Sequence, residues 1–163
     1  MALKIRRVIT GHDKKGHAIV QIDDTAKTSG RYGVETSVIW TTNGFPVNND
    51  DNTKDEGEQQ DGPIIYPGGT VFRIIEFNPG CPVMMHRTSS IDYGLVLKGE
   101  ADVELDDKTM VHLKEGDVFA QRGTIHAWHN NSTAPAIIAF VLIDAKPVSV
   151  GNKVLAEDVH TVK

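Results

Sequence analysis

The sequence predicts an all-β protein that folds as a closed or double-sheet β-barrel. From residue 63 onward, short runs rich in branched and aromatic residues alternate with turn signals about every eight to twelve residues. No stretch has a helical hydrophobic period of useful length. A chain of 163 residues is also long enough for one domain with a substantial hydrophobic core.

The first part of the chain, residues 1–62, predicts three features outside the main barrel. Residues 4–22 alternate loosely around a polar turn and indicate a hairpin. Residues 37–42 form a short run of β-branched residues, which favours a strand. Residues 43–61 are acidic and polar, so we expect a solvated loop that is either a lid over the barrel mouth or a plain excursion. This part is expected to pack on the barrel or on a partner subunit.

The barrel itself is expected to span residues 63–145, and residues 146–163 to form a C-terminal extension of the same structural domain. Breaks at Gly, Pro and Asp clusters divide the barrel region into alternating segments. The predicted barrel strands are 70–77, 83–88, 92–98, 100–105, 110–113, 118–121, 125–130 and 136–143.

Charge and composition exclude several classes of partner. The net charge of −5 argues against nucleic acid and anionic membranes, which select clustered Lys and Arg. The N-terminus has no apolar segment long enough for a signal peptide, and no run reaches the length of a membrane span. Cys81 is the single cysteine, so no intrachain disulfide can form. We therefore expect a cytoplasmic protein with a small-molecule ligand.

Two predicted strands each carry a histidine on a face that can point into the barrel. Residues two apart in a strand face the same side, so His86 shares its face with Met84 and Thr88. By the same rule His126 shares its face with Trp128 and Asn130. In an antiparallel barrel, the inward faces of two such strands can meet.

A carboxylate completes this pattern, because Asp92 follows His86 by six residues. Two histidines and one carboxylate are the ligand set of mononuclear divalent metal centres that keep coordination positions open. We therefore expect His86, Asp92 and His126 to hold one divalent ion, such as Zn²⁺, Fe²⁺, Mn²⁺ or Ni²⁺. A metal-free site is the alternative, in which His86 or His126 acts as a general acid or base.

The two histidine segments resemble the two sequence motifs of the cupin superfamily. The first reads Gly80, five residues, His86, Thr88, three residues, Asp92, six residues, Gly99.

The second motif runs from Gly116 through Gly123 and His126 to Asn130, and the resemblance covers roughly residues 63–145. It implies a double-stranded β-helix, or jelly-roll barrel, of the single-domain small-molecule type. It also implies organic acids or aromatic, polyketide-like metabolites as the substrate class. A homodimer is implied as well, in which residues 4–22 are available for exchange between subunits.

Three positions depart from the family pattern. Thr88 stands where the second histidine belongs, Asp92 replaces a glutamate, and Gln121 replaces a proline. The usual three-histidine, one-glutamate site is thereby reduced to two histidines and a shorter carboxylate.

Other side chains are candidates for the pocket around this centre. Apolar walls are expected from Met84, Trp128, Phe140 and Trp40. Polar candidates are Thr88, Gln121 and Arg73, with Arg87 on the outward side and Asn130 and Thr88 as partners of the metal ligands.

The expected function is that of a small-molecule metalloenzyme with lyase or isomerase chemistry, such as decarboxylation or dehydration. Two alternatives stay open on the same residues. An Fe²⁺-dependent dioxygenase would use the same ligands for the metal and leave room for O₂. A non-catalytic cupin would capture a metabolite without converting it.

Overall fold

The structure is a computed structural model that describes residues 3–50 and 54–161. Within these residues it contains fifteen β-strands and a single 3₁₀ turn at Asp106–Lys108. The first seven strands are β1 Arg6–His12, β2 Ala18–Thr25, β3 Ser29–Arg31, β4 Val34–Thr42, β5 Thr70–Phe77, β6 Met84–Arg87 and β7 Ser90–Lys98. The remaining strands are β8 Glu100–Glu104, β9 Met110–Lys114, β10 Val118–Arg122, β11 Ala127–His129, β12 Ala136–Asp144, β13 Val148–Val150, β14 Lys153–Leu155 and β15 Asp158–Thr161.

Two facing groups of strands form the barrel. One is a six-stranded antiparallel sheet in the order β10-β7-β12-β5-β4-β3. The other contains the three-stranded sheet β11-β8-β9 and the pair β15-β6, and an isolated bridge between His86 and His126 connects these two parts. The predicted all-β jelly-roll fold is therefore confirmed. No helix among the described residues has the length and apolar character that a membrane span requires.

The core lies between the two sheets because alternate residues of the central strands point inward. On β12, Ile138 is fully buried, while Phe140 and Leu142 are each 6% exposed. Val96 on β7 and Val71 on β5 extend the same core from neighbouring strands. This two-residue period is the pattern that the sequence predicted for the barrel region.

A second apolar cluster covers part of the outer face of the large sheet. Leu3 and Ala26 of the N-terminal segment pack against Ile39 of β4 and Ile74 of β5. The predicted hairpin is present as the antiparallel pair β1–β2. The large sheet begins before residue 63, however, because β4 pairs with β5 along its length.

The acidic loop is attached to this N-terminal region. Arg7 is buried and forms hydrogen-bonded ion pairs with Asp24 and Asp55. The Gln60 side chain bonds the backbone of Val38. Residues 55–60 are thus fastened to β1 and β4. The predicted lid also includes residues 51–53, which lie outside the described part of the chain.

The C-terminal extension adds strands beside the site. β13 and β14 form a hairpin, and β15 pairs antiparallel with β6. In this pairing Val159 is opposite His86. The edge of the strand that carries the first predicted histidine is therefore covered by the chain's own C-terminal strand.

Candidate active site

The structure brings the two predicted histidines together. The backbone N–H of His86 donates to the carbonyl oxygen of His126 at 2.8 Å, and the reverse bond is 2.9 Å long. The centroids of the two imidazole rings lie 4.1 Å apart with an interplanar angle of 53°. His126 is 3% exposed, whereas His86 is half-buried.

Hydrogen bonds to backbone carbonyls fix the same tautomer in both rings. His86 Nδ1 lies 2.9 Å from the carbonyl oxygen of Met84, and His126 Nδ1 lies 3.0 Å from that of Thr124. A carbonyl oxygen can only accept, so each Nδ1 carries the hydrogen. Each Nε2 of a neutral ring then carries a lone pair, which can accept a proton or bind a metal.

Gln121 occupies the space between Asp92 and His126. Its Nε2 lies 2.9 Å from both ring nitrogens of His126 and 3.4 Å from Asp92 Oδ2. Since His126 Nδ1 donates to Thr124, the amide of Gln121 donates to His126 Nε2. Gln121 is also paired directly opposite Asp92 between β10 and β7, which explains its position.

Asp92 is buried and held by side chains of its own strand region. Ser90 Oγ donates to Asp92 Oδ1 at 2.6 Å, and the Thr88 and Ser90 hydroxyls are hydrogen-bonded to each other at 2.8 Å. Burial raises the pKa of Asp92, and the Ser90 hydrogen bond and the charge of Arg73 oppose this rise.

The three predicted metal ligands line one cavity but do not form a ready-made cluster. Among the residues that the structure describes, no group of three or more His, Cys, Asp or Glu side chains is arranged to hold a metal ion. The Asp92 carboxylate accepts hydrogen bonds from Ser90 and Gln121, and it lines the same cavity as His86 and His126. The two imidazoles lie close together, whereas binding of the same metal by Asp92 would compete with its hydrogen bonds to Ser90 and Gln121. The three-ligand site stays a prediction.

Burial also determines the charge of the inner histidine. The pKa of His126 is lowered from 6.5 to about 4, first by burial and then by the neighbouring His86, against the hydrogen bond to Thr124. His126 is therefore a neutral imidazole at pH 7.

A cavity of about 240 Å³ opens at the two histidines. Its walls include an aromatic cluster, in which the ring centroids of Trp128 and Phe140 lie 5.4 Å apart and those of Phe77 and Trp128 lie 5.9 Å apart. The lining residues from the predicted set are Met84, His86, Thr88, Asp92, His126, Trp128 and Phe140, together with Arg73. Gln121 contacts this cavity through its bonds to Asp92 and His126.

Trp40 lies outside this cavity, contrary to the prediction. It lines a separate groove beside the N-terminal hairpin. The cause is a register shift in β4 between Val38 and Trp40. Val38 belongs to the inner core and is opposite Arg73, whereas Trp40 is opposite Phe72 on the outer face. A bulge of this kind reverses the facing of the residues that follow it.

Asn130 and Arg87 also have roles away from the two histidines. The Asn130 amide donates to the carbonyl oxygens of Phe77 and Ala134, and its oxygen accepts two bonds from Ser132. Asn130 therefore holds a turn and is not a partner of His126. Arg87 faces outward, as predicted, and its Nε donates to the carbonyl oxygen of Gly123.

Several residues that line the cavity were not predicted from the sequence. On β5, Ile75 and Phe77 share the inward face of Arg73, and the two-residue period contained this information. Ile64 lies in an irregular segment that precedes β5, where no periodic pattern exists to place it.

Sequence comparison identifies the family of this chain. The Cupin domain family model matches residues 73–143. The chain is 39% identical over 157 residues to phomopsin biosynthesis cluster protein D of Diaporthe leptostromiformis, covering 91% of this chain and 83% of that protein. It is 34% identical over 157 residues to the cupin-domain-containing oxidoreductase fogC of Aspergillus ruber, covering 92% and 77%. An RmlC-like cupin structure from Shewanella frigidimarina has a TM-score of 0.48 at 15% identity, covering 74% of this chain and 85% of that one. This chain belongs to the cupin superfamily.

Proposed function

We propose that this chain is a small-molecule cupin enzyme whose substrate binds in the barrel cavity next to His86. One observation carries the proposal: an imidazole with an unshared Nε2 lone pair lies in an aromatic-walled cavity beside a second, neutral imidazole. The names of two relatives support it, since one is a biosynthesis cluster protein and another is a cupin-domain-containing oxidoreductase.

In the proposed chemistry His86 is the general base. Its Nε2 makes no hydrogen bond to any residue that the structure describes, whereas His126 Nε2 accepts from Gln121. A proton taken from the substrate by His86 Nε2 gives an imidazolium, which the Met84 carbonyl oxygen stabilises at Nδ1–H. Removal of a proton next to a carbonyl is the first step of the isomerisations and eliminations expected from the sequence.

Replacing His86 tests this role. His86→Gln should lower kcat/KM for substrate conversion by roughly 10²-fold or more, because the base is lost while the polar surface is kept. His112→Gln is the matched control, since His112 is an exposed histidine on β9 bonded to Asp102. Product formation is followed by mass spectrometry with a panel of small organic acids and aromatic metabolites. Full activity of His86→Gln would exclude His86 as the base, and binding without any product would favour the non-catalytic alternative.

A metal-dependent enzyme is the second candidate. The observation in its favour is the shared tautomer of His86 and His126, which leaves the Nε2 lone pair of His86 free, while that of His126 would become available to a metal once the Gln121 amide moved away. Bound Zn²⁺, Mn²⁺ or Ni²⁺ would supply Lewis acidity, and Fe²⁺ would allow dioxygenase chemistry. Elemental analysis of protein purified without chelator, beside His86→Ala, tests the candidate.

Stoichiometric metal in the wild type and its loss in His86→Ala support this candidate. Substrate-dependent O₂ uptake then distinguishes a dioxygenase from a lyase or isomerase, which turns over without O₂. Full activity of a protein from which all metal has been removed would exclude the metal-dependent candidate.

The homodimer and the cytoplasmic location stay predictions, and sedimentation velocity at micromolar concentration tests the homodimer.

A further inference from the structure

Arg73 is a cation on the inner wall of the barrel whose hydrogen-bonding capacity is largely unused. It lies on β5 opposite Phe140 of β12 and lines the same cavity as His86. Its Nη2 donates to the carbonyl oxygen of Ile64. Its Nε is buried and has no hydrogen-bond partner among the described residues.

A buried guanidinium N–H without a partner is costly, because the group has lost its water and gained nothing in exchange. Among the described residues, Arg73 also forms no ion pair with a carboxylate. Asp92 attracts it only at longer range, and the Asp92 oxygens are bonded to Ser90 and Gln121. The chain therefore maintains an arginine whose natural counterpart, an anion, is not supplied by its own side chains.

We propose that Arg73 binds the carboxylate of a small, predominantly apolar acid, whose body lies against the aromatic wall and whose reactive carbon lies near His86. The inference rests on the proposed function and names the substrate class of that site. A guanidinium offers pairs of parallel N–H groups in the spacing of a carboxylate, and because the Arg73 Nε is buried, the terminal Nη groups are the donors for a ligand in the cavity.

The size and charge of the cavity restrict this ligand. A volume of about 240 Å³ is below the roughly 300–1,000 Å³ of pockets for drug-sized ligands, so the acid has one ring or a short chain. Trp128, Phe140 and Phe77 provide an apolar surface for its body. Arg73 is the one Arg or Lys among the cavity-lining residues that the structure describes, and Asp92 disfavours further negative charge. The preferred ligand is thus a monocarboxylate and not a dianion.

Binding of matched acids and amides tests the proposal. The probes are benzoate, phenylacetate and 3-phenylpropionate, each compared with its neutral primary amide by isothermal titration calorimetry. The indole N–H resonance of Trp128 reports in parallel whether the probe occupies this cavity. The proteins are the wild type, Arg73→Gln and Arg87→Gln. Arg87 is a matched control because it is also half-buried and bonds one backbone carbonyl, but it faces outward.

We expect at least one acid to bind the wild type at least tenfold more tightly than its amide and to shift the Trp128 resonance. Arg73→Gln should abolish this preference, and Arg87→Gln should retain it. Equal affinity for acid and amide, or no binding of any acid, overturns the proposal, and this comparison needs only the wild type. Should Arg73→Gln fold poorly, Arg73→Lys serves instead. It keeps the charge without the paired N–H groups and should bind the acid at least several-fold more weakly than the wild type, with a reduced preference over the amide.

These results separate the inference from the proposed function. Acid-selective binding without any turnover would leave the carboxylate site standing and remove the enzymatic proposal. Turnover of neutral substrates with no preference for acids would remove the carboxylate site and leave the enzymatic proposal standing.

Discussion

His86 and His126 are joined by a reciprocal pair of backbone hydrogen bonds, 2.8 and 2.9 Å long, that place their imidazole rings 4.1 Å apart. The main chain, and not a side-chain contact, therefore brings the two rings together. Replacing one imidazole should leave the position of the other largely unchanged. The effects of substituting each ring can then be interpreted separately.

A third imidazole at position 88 should create a strong metal site if the two histidines can already bind a metal. Thr88 lines the cavity on the same face as His86. Thr88→His should raise the affinity for Co²⁺ at least tenfold, because three imidazoles bind a divalent ion better than two. Calorimetry and the visible spectrum of bound Co²⁺ measure the change.

Arg87→His is the control, since it adds a histidine to the outward side of the same strand. It should leave the Co²⁺ affinity of the cavity unchanged. Equal affinities of the wild type and Thr88→His would show that His86 and His126 do not act together as metal ligands.

The strand period was sufficient to predict which residues face the cavity from the two histidine strands. Met84, His86 and Thr88 line it together, as do His126 and Trp128. This succeeds because a regular strand alternates faces without reference to the rest of the fold. The same rule failed for Trp40, because a bulge in β4 precedes this residue and turns its side chain outward. The sequence contains no clear signal for that bulge.

The polar contacts of the site could not be predicted from the sequence, for a different reason. Asp92 and Gln121 are far apart in the chain and meet only because β7 and β10 pair in a particular register. That register directs the Gln121 amide between the carboxylate and His126. The spacing of residues along the chain shows which face of a strand a side chain occupies. It does not show which residue of the neighbouring strand lies opposite.

Stability should depend on pH through His126. Its pKa is about 4 in the folded protein and about 6.5 when unfolded, so the unfolded chain binds more protons between these values. The stabilisation is fully present above pH 6.5 and is lost as the pH falls toward 4. Integration over the shift gives a loss of about 2 kcal/mol in the free energy of unfolding between pH 8 and pH 5.

Urea unfolding of the wild type and His126→Gln at these two pH values measures this contribution. The variant should lose about 2 kcal/mol less than the wild type, because the remaining titrating groups are shared. An NMR titration in which the His126 ring protonates with a pKa near 6.5 would contradict the assignment.

Arg7 should stabilise the N-terminal region far more than its neighbour Arg6. The Arg7 side chain is 4% exposed and bonds Asp24 and Asp55, whereas the Arg6 side chain is 72% exposed and bonds Asp23. Arg7→Met should lower the free energy of unfolding by roughly 1–3 kcal/mol, less than for a fully buried pair because both partners are partly exposed. Arg6→Met should change the thermal midpoint little.

The same ion pair gives a second dependence on pH. The hydrogen bond from Arg7 lowers the pKa of Asp55, so its stabilisation is present above the ordinary carboxyl range and is lost as the pH falls through the lowered value. Acid unfolding of Asp55→Asn should therefore be less steep than that of the wild type below about pH 4. Identical acid transitions would show that Asp55 does not contribute.

Arg73 should be dispensable for folding although it is required for ligand binding. Its buried Nε has no partner, and the carbonyl that it bonds, that of Ile64, lies at an exposed position where water can replace the arginine. Arg73→Met removes the cost of an unsatisfied donor, which is about 1–3 kcal/mol, and should leave the free energy of unfolding unchanged or raise it by about 1 kcal/mol. Urea denaturation of the ligand-free protein is the measurement, with Arg87→Met as the control. Marked destabilisation by Arg73→Met alone would mean that Arg73 is retained for the fold, because a residue kept to bind an anion should not be needed in its absence.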